Sequence, residues 1–317
     1  MAFSQDNLVQ LSDTFSIITG VTNIGVISDG ISDSAQPRHI YLIDSGGDGD
    51  TGKKILRLLS ELYGNNFVLQ GIINTHSHAD HAGGNAWLQT ATHCEIWASQ
   101  GEKAIIENPQ LESALVWGAC PFPEIRSKFF EAKPSSVTRI IAGGEKIELR
   151  DSTMEIISLP GHYIDMIGIL HTDKQTGKSA VHLGDGAFGR ETIAKYWIAF
   201  LHDVEGFKAS LEKINAIHAD YFVPSHGAIF TAPEALTEIN SIAVREVETT
   251  ILRCLKEKLT PEELLAKVAD INSIPLGYIQ YVLVGSTLRS YLSYLYRNKK
   301  IGFTVENNRM YWQAHTD

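Results

Sequence analysis

The chain has 317 residues, 44% of them apolar and 20% charged, the make-up of an ordinary soluble globular protein with enough length to bury a full core. Its formal net charge of −10 argues against a general nucleic-acid binder, because phosphate recognition calls for a basic surface. Three widely spaced cysteines (Cys94, Cys120, Cys254) form no C-x-x-C pair, so neither a disulfide framework nor a thiolate zinc site is expected, and buried free thiols are.

The opening M-A-F-S-Q-D-N-L-V-Q has no basic segment followed by an apolar run, and no apolar stretch reaches about 18 residues. Neither a signal peptide nor a transmembrane helix is expected, and a cytoplasmic enzyme fits this best. The first 45 residues read as short strands (F-S-I-I-T-G, I-G-V-I-S, I-Y-L-I-D) punctuated by Gly20, Gly30 and Gly46. D-G-D-T-G then opens a helix with Ile55, Leu58, Leu59 and Leu62 on one face. F-V-L-Q-G-I-I-N-T (67–75) predicts a strand, and a histidine-rich segment follows it at once. Gly83 and Gly84 lead into a helix through Ala86 and Leu88, then C-E-I-W-A (94–98) predicts a strand and a helix starts near Ser99. Residues 108–134, broken by four prolines, read as an insertion, and its Trp117, Phe122, Phe129 and Phe130 are candidates for walling an apolar pocket. Strands are expected at 145–149, 154–159, 167–171 and 179–186, and a helix at 204–217 before D-Y-F-V-P-S-H-G (220–227).

The charge balance then changes. Residues 1–238 hold 17 Lys/Arg against 29 Asp/Glu, whereas residues 239–317 hold 10 against 8. This shift predicts a catalytic domain over 1–238 and a small, mainly helical module over 239–317. Within the module, T-P-E-E (260–263) has the form of a capping box, Leu288, Tyr291, Leu292 and Leu295 make an apolar stripe, and residues 301–312 read as a hairpin turning at Asn307-Asn308.

The segment T-H-S-H-A-D-H (75–81) places His76, His78, Asp80 and His81 within six residues, directly after a strand. Imidazole nitrogen and carboxylate oxygen suit zinc, and also iron or manganese. His76 and His78 share a face of an extended chain and can hold one metal, while Asp80 and His81 turn toward another. Further ligands are offered by P-G-H (160–162), G-D-G (184–186) and S-H-G (225–227), each after a strand-like run and each flanked by small residues that allow close approach. Asp44 and Asp48 are candidates for orienting the ligating histidines. His182 is assigned to the core or to a supporting role, because strand alternation turns it from the face of Asp185.

Taken in this order, the four motifs resemble the metallo-β-lactamase superfamily over roughly residues 10–235. The resemblance implies a four-layer αββα sandwich (an α/β fold) with two metal ions at one edge: His76, His78 and His162 on the first, Asp80, His81 and His226 on the second, and Asp185 bridging them. A carboxylate at 185, where the main zinc β-lactamases use cysteine, points to the glyoxalase II-like branch. His78, where flavo-diiron proteins usually have Glu, points away from a redox di-iron role. The run Tyr163-Ile164-Asp165-Met166 departs from the family's usual T-x-G-S after this histidine, and Tyr163 becomes a candidate for contacting substrate or an oxyanion. The tail is similar to the winged-helix-like appendage of some superfamily hydrolases.

The expected chemistry is hydrolysis by a hydroxide shared between two divalent ions, zinc by preference, with Asp80 orienting the nucleophile and a metal stabilising the oxyanion. The expected partner is a small-molecule ester, thioester or lactone, with a homo-oligomer allowed and no membrane involved. Two alternatives use the same motif: a metal-dependent ribonuclease or phosphodiesterase, and a mononuclear iron persulfide dioxygenase.

Overall fold

The computed structural model describes residues 3–30, 36–64 and 66–315; Met1 and Ala2, which begin the stretch read for a leader, lie outside it. Seven strands form the first sheet in chain order: β1 (Leu8–Gln10), β2 (Phe15–Ile18), β3 (Ile24–Asp29), β4 (Arg38–Ile43), β5 (Phe67–Ile73), β6 (Glu95–Ala98) and β7 (Arg139–Ile140). β1 to β4 pair antiparallel through short connections, and β4 to β7 pair parallel. Parallel pairing needs crossovers. These are α1 (Gly49–Tyr63), then α2 (Ala79–Ala82) with α3 (Asn85–Thr92), then α4 (Gln100–Glu107) with α5 (Gln110–Trp117). α1 forms where the apolar spacing predicts it, and Asp48 caps it by accepting from Thr51 N at 2.9 Å.

The second sheet is β8 (Lys146–Glu148), β9 (Ser152–Ser158), β10 (Ile167–Asp173), β11 (Ser179–His182) and β12 (Tyr221–Val223), in the spatial order β12-β11-β10-β9-β8. α6 (Arg190–Tyr196) and α7 (Val204–Asn215) make the crossover to β12, which lies parallel to β11. The sheets meet face to face: Phe15, Ile17, Ile27, Ile43 and Ile73 pack on Met154, Ile156, Ile167, Ile169 and Val223. On the outer face of the first sheet, Ile40, Leu42 and Ile72 bury Ile55, Leu58 and Leu59 of α1. On the outer face of the second, Val181 and Phe222 pack under Val204, Phe207 and Leu211 of α7. The result is the four-layer αββα arrangement.

The C-terminal segment continues that last core. α8 (Pro233–Cys254), α9 (Pro261–Ile271) and α10 (Tyr278–Arg297) add Val247, Ile251, Leu264, Val268, Leu288, Tyr291 and Leu295 to the cluster under α7. Fully burying side chains of this size stabilises by about 1.5–3 kcal/mol each, so these helices cannot leave without exposing the sheet. The expected division at 238/239 falls inside α8, a single helix with Pro at its first position. The Thr260–Glu263 capping box forms, with Thr260 N donating to Glu263 Oε2 at 2.8 Å. β13 (Ile301–Glu306) and β14 (Arg309–Ala314) make the expected hairpin, and both turn residues, Asn307 and Asn308, have positive φ as a tight hairpin turn requires. Cys94 and Cys254 are buried, but Cys120 is exposed, because it sits on the loop beyond α5. Among the described residues no helix is long and apolar enough to cross a membrane.

Candidate metal centre

Four strand ends deliver the ligand-type residues. β5 leads into His76, His78 and the single turn of α2 that carries Asp80 and His81; β9 leads to His162, β11 to Asp185 and β12 to His226. Glycines permit the approach. Gly161 has φ +132°, and a Cβ there would lie 2.1 Å from Phe207 N.

The side chains converge as two groups. His76, His78 and His162 bring ligand atoms together, with His76 Nε2 3.1 Å and His162 Nε2 3.0 Å from His78 Nδ1. Asp80, His81 and His226 make the second group, with His226 Nε2 3.1 Å from Asp80 Oδ2. Asp185 stands between them. Its Oδ2 is 3.4 Å from His162 Nε2, and its Oδ1 is 3.5 Å from His81 Nε2 and 3.6 Å from His226 Nε2.

Each histidine has its outer nitrogen committed. His76 Nδ1 meets Thr75 Oγ1 at 3.0 Å, His162 Nδ1 the Phe200 carbonyl at 2.8 Å, and His226 Nδ1 the Val21 carbonyl at 2.7 Å. His81 Nδ1 meets Asp44 Oδ2 at 2.8 Å, and His78 Nε2 lies 3.3 Å from Glu112 Oε1. These partners assign the tautomers, with the protons outward and five lone pairs inward. The inward nitrogen of His78 lies about 3 Å from those of His76 and His162, and the lone pairs repel unless a cation sits among them. Two buried atoms of the cluster, His81 Nε2 and Asp185 Oδ1, have no hydrogen-bond partner. The residues therefore fit two divalent cations.

The electrostatics agree. Burial depresses His76 and takes His162 down to about 3, so both are neutral and free to coordinate. Burial also opposes charge on His81 and His226, yet Asp80 and Asp185 outweigh it and raise them to about 9 and about 10. The carboxylates thus demand positive charge in the second group.

Asp44 takes the orienting position expected of it, and further supports lie around the cluster. Asp44, fully buried with φ +63°, accepts from Thr75 N and Thr75 Oγ1 at 2.8 Å each, so a strained backbone fixes both the turn and His81. Asp48 instead caps α1. Glu102 of α4 accepts from Ser77 N and Asp165 N at 2.9 Å each, and burial pushes its carboxyl up to about 7. The departure at Tyr163–Met166 is explained here: Asp165 accepts from Gly101 N at 2.9 Å, tying that turn to the start of α4. His182 donates from Nε2 to the Asn23 carbonyl at 3.0 Å and accepts at Nδ1 from Gly184 N at 3.3 Å, so it shapes the turn before Asp185.

Tyr163 differs from expectation. It is fully buried, its hydroxyl donates to Glu112, and it does not line the cavity above the cluster. Its ring lies 4.4 Å from that of His78, so it acts on the site through packing and through Glu112. Of the four aromatics in the insertion, Phe129 and Phe130 line that cavity, whereas Trp117 and Phe122 pack on each other at 5.2 Å.

A sequence profile of the metallo-beta-lactamase superfamily matches residues 35–226, more than half of the chain, and takes in every residue of the cluster. The chain belongs to the metallo-beta-lactamase superfamily. It is a metal-dependent hydrolase of that superfamily. Among its relatives, the lactamase-like protein vrtG of Penicillium aethiopicum is 23% identical over 293 residues, 87% of this chain and 82% of that one. An atrochrysone carboxyl ACP thioesterase of Aspergillus fumigatus is 21% identical, covering 86% and 78%. A hydroxyacylglutathione hydrolase of Hyphomonas neptunium is 27% identical over 165 residues; that match spans about half of each chain, 50% and 53%. A beta-lactamase domain protein from Burkholderia ambifaria superposes with a TM-score of 0.71 at 12% identity, covering 99% of this chain and 97% of its own. The likeness of fold to that structure therefore extends through the C-terminal helices.

Proposed function

We propose that the chain hydrolyses thioesters or related esters at a two-metal centre. His76, His78 and His162 would hold one cation, Asp80, His81 and His226 the other, with Asp185 shared. Two bound cations supply Lewis acidity and lower the pKa of water toward neutrality. The chain's own residues do the rest. Asp44, Glu112 and the carbonyls of Phe200 and Val21 hold the imidazoles in their coordinating tautomers. Asp80, nearly half exposed, presents its carboxylate to the cavity and orients the attacking water. The observation that carries the reading is Asp185: one carboxylate oxygen faces each ligand group. Relatives named as a thioesterase and as hydroxyacylglutathione hydrolases support the thioester, and zinc is the proposed metal. Residues 239–317, of which α10 lines the cavity, are proposed as a winged-helix-like appendage.

The test is turnover of acyl thioesters and of single-stranded RNA by protein carrying zinc. Thioester cleavage that chelation abolishes is expected; RNA cleavage without thioester cleavage would replace this reading with the nuclease.

A further inference from the structure

The cavity over the cluster has a volume of about 1020 Å³. Cavities of roughly 300–1,000 Å³ hold drug-sized ligands, so this one far exceeds the needs of a two- or three-carbon acyl group. Its wall is more apolar than polar, although Asp48, Lys128, Glu191 and Lys195 also reach it. The rings of Phe188 and Phe200 lie 5.5 and 5.7 Å from that of His162, so an acyl group entering the site meets aromatic surface first. Farther out stand Phe129, 54% exposed, and Tyr196, 40% exposed, from the insertion and from α6. Exposed aromatic surface on the wall of a cavity is surface left for an apolar ligand to cover. Leu283 and Val284 of α10 also line the cavity, and α10 packs on Val116, Ile125 and Phe130 through Val282.

We propose that the substrate is a thioester with a bulky, apolar, ring-bearing acyl group, seated against the insertion and α10 with its carbonyl over the metal cluster. This rests on the thioesterase reading above. In the reaction water adds its oxygen to the acyl carbon and the C–S bond breaks; one of the water's protons passes to the thiolate, the other is released to solvent, and the acyl group leaves as a carboxylate. The insertion and α10 act as the specificity elements, and the metal ligands have no part in the choice of acyl group.

The test compares acetyl, octanoyl and 2-naphthoyl thioesters of one thiol, N-acetylcysteamine, with the zinc-loaded protein. The expected kcat/KM for naphthoyl is at least about tenfold above acetyl, the scale that apolar pocket contacts supply. Leu283→Trp fills the pocket and Phe129→Ala removes one wall from an exposed loop; each is expected to lower the naphthoyl-to-acetyl ratio at least about fivefold, a ratio that a general loss of activity would not move. Equal kcat/KM for acetyl and naphthoyl, or a ratio unmoved by both variants, would overturn the proposal while leaving thioester hydrolysis in place. Calorimetry with the non-hydrolysable naphthoyl and acetyl amides reads the pocket without turnover. If no thioester is cleaved by protein with both metals bound, the thioesterase reading fails. Tighter binding of the naphthoyl amide would then still support the bulky apolar ligand, and equal binding would overturn it.

Discussion

Glu112 Oε1 lies 3.3 Å from His78 Nε2, and the other oxygen of the same carboxylate takes the Tyr163 hydroxyl. α5, inside the irregular insertion, therefore reaches back to fix a histidine of the central motif. Glu112→Gln would present an amide to His78 and weaken the hold on its coordinating tautomer. We expect metal affinity and kcat to fall about ten- to hundredfold, the usual cost of losing such a partner, with little change in Tm. Tyr163→Phe leaves the Glu112–His78 contact in place and should cost less than about tenfold. Metal titration beside steady-state kinetics checks both; loss of turnover in Tyr163→Phe with metal fully bound would restore Tyr163 as a catalytic residue.

Gly161 shows how tightly the backbone is drawn in. At φ +132° an added Cβ would meet Phe207 N and Cα at 2.1 and 2.3 Å, both backbone atoms that cannot swing aside. Gly161→Ala should destabilise by at least about 2 kcal/mol and displace His162. Chemical denaturation with metal analysis tests this, and a variant of unchanged stability would show that α7 yields easily.

His171 gives a pH dependence separate from the metals. It is fully buried in β10, stacks on Phe15 at 4.9 Å, and burial takes it down to about 4 although Asp173 pulls the other way. An unfolded histidine titrates near 6.5, so below that pH the unfolded chain binds the proton first and folding stability falls with falling pH. Between pH 6.5 and 5 the loss from this residue is roughly 2 kcal/mol. His171→Leu should lose less stability than the wild type over that interval. Parallel slopes for the two proteins would show that His171 charges freely in the folded state.

The residues that converge on the cluster could be read because each lies in a short motif at a strand end, where local spacing and small neighbours carry the signal. The sandwich could be read for a similar reason: β9 alternates between buried and part-buried residues, and α1 has its apolar face at helical spacing. What escaped depends on distance in sequence. The Phe200 and Val21 carbonyls and Glu112 meet the histidines, and Glu102 meets Ser77 and Asp165, only after folding, and nothing local marks them. Tyr163 sits beside a ligand in sequence, yet the turn rotates it into the core. The change in charge near residue 239 falls within α8, whose apolar face joins the core under α7.

Asp185→Ala should remove at least one metal and most activity, since its two oxygens serve both groups. The most direct test of the central claim is the metal stoichiometry of the purified wild-type protein. Two divalent ions per chain, falling to one or none in Asp185→Ala, is the predicted result. A single iron per chain, unchanged by that substitution, would contradict the two-metal centre and favour the mononuclear dioxygenase.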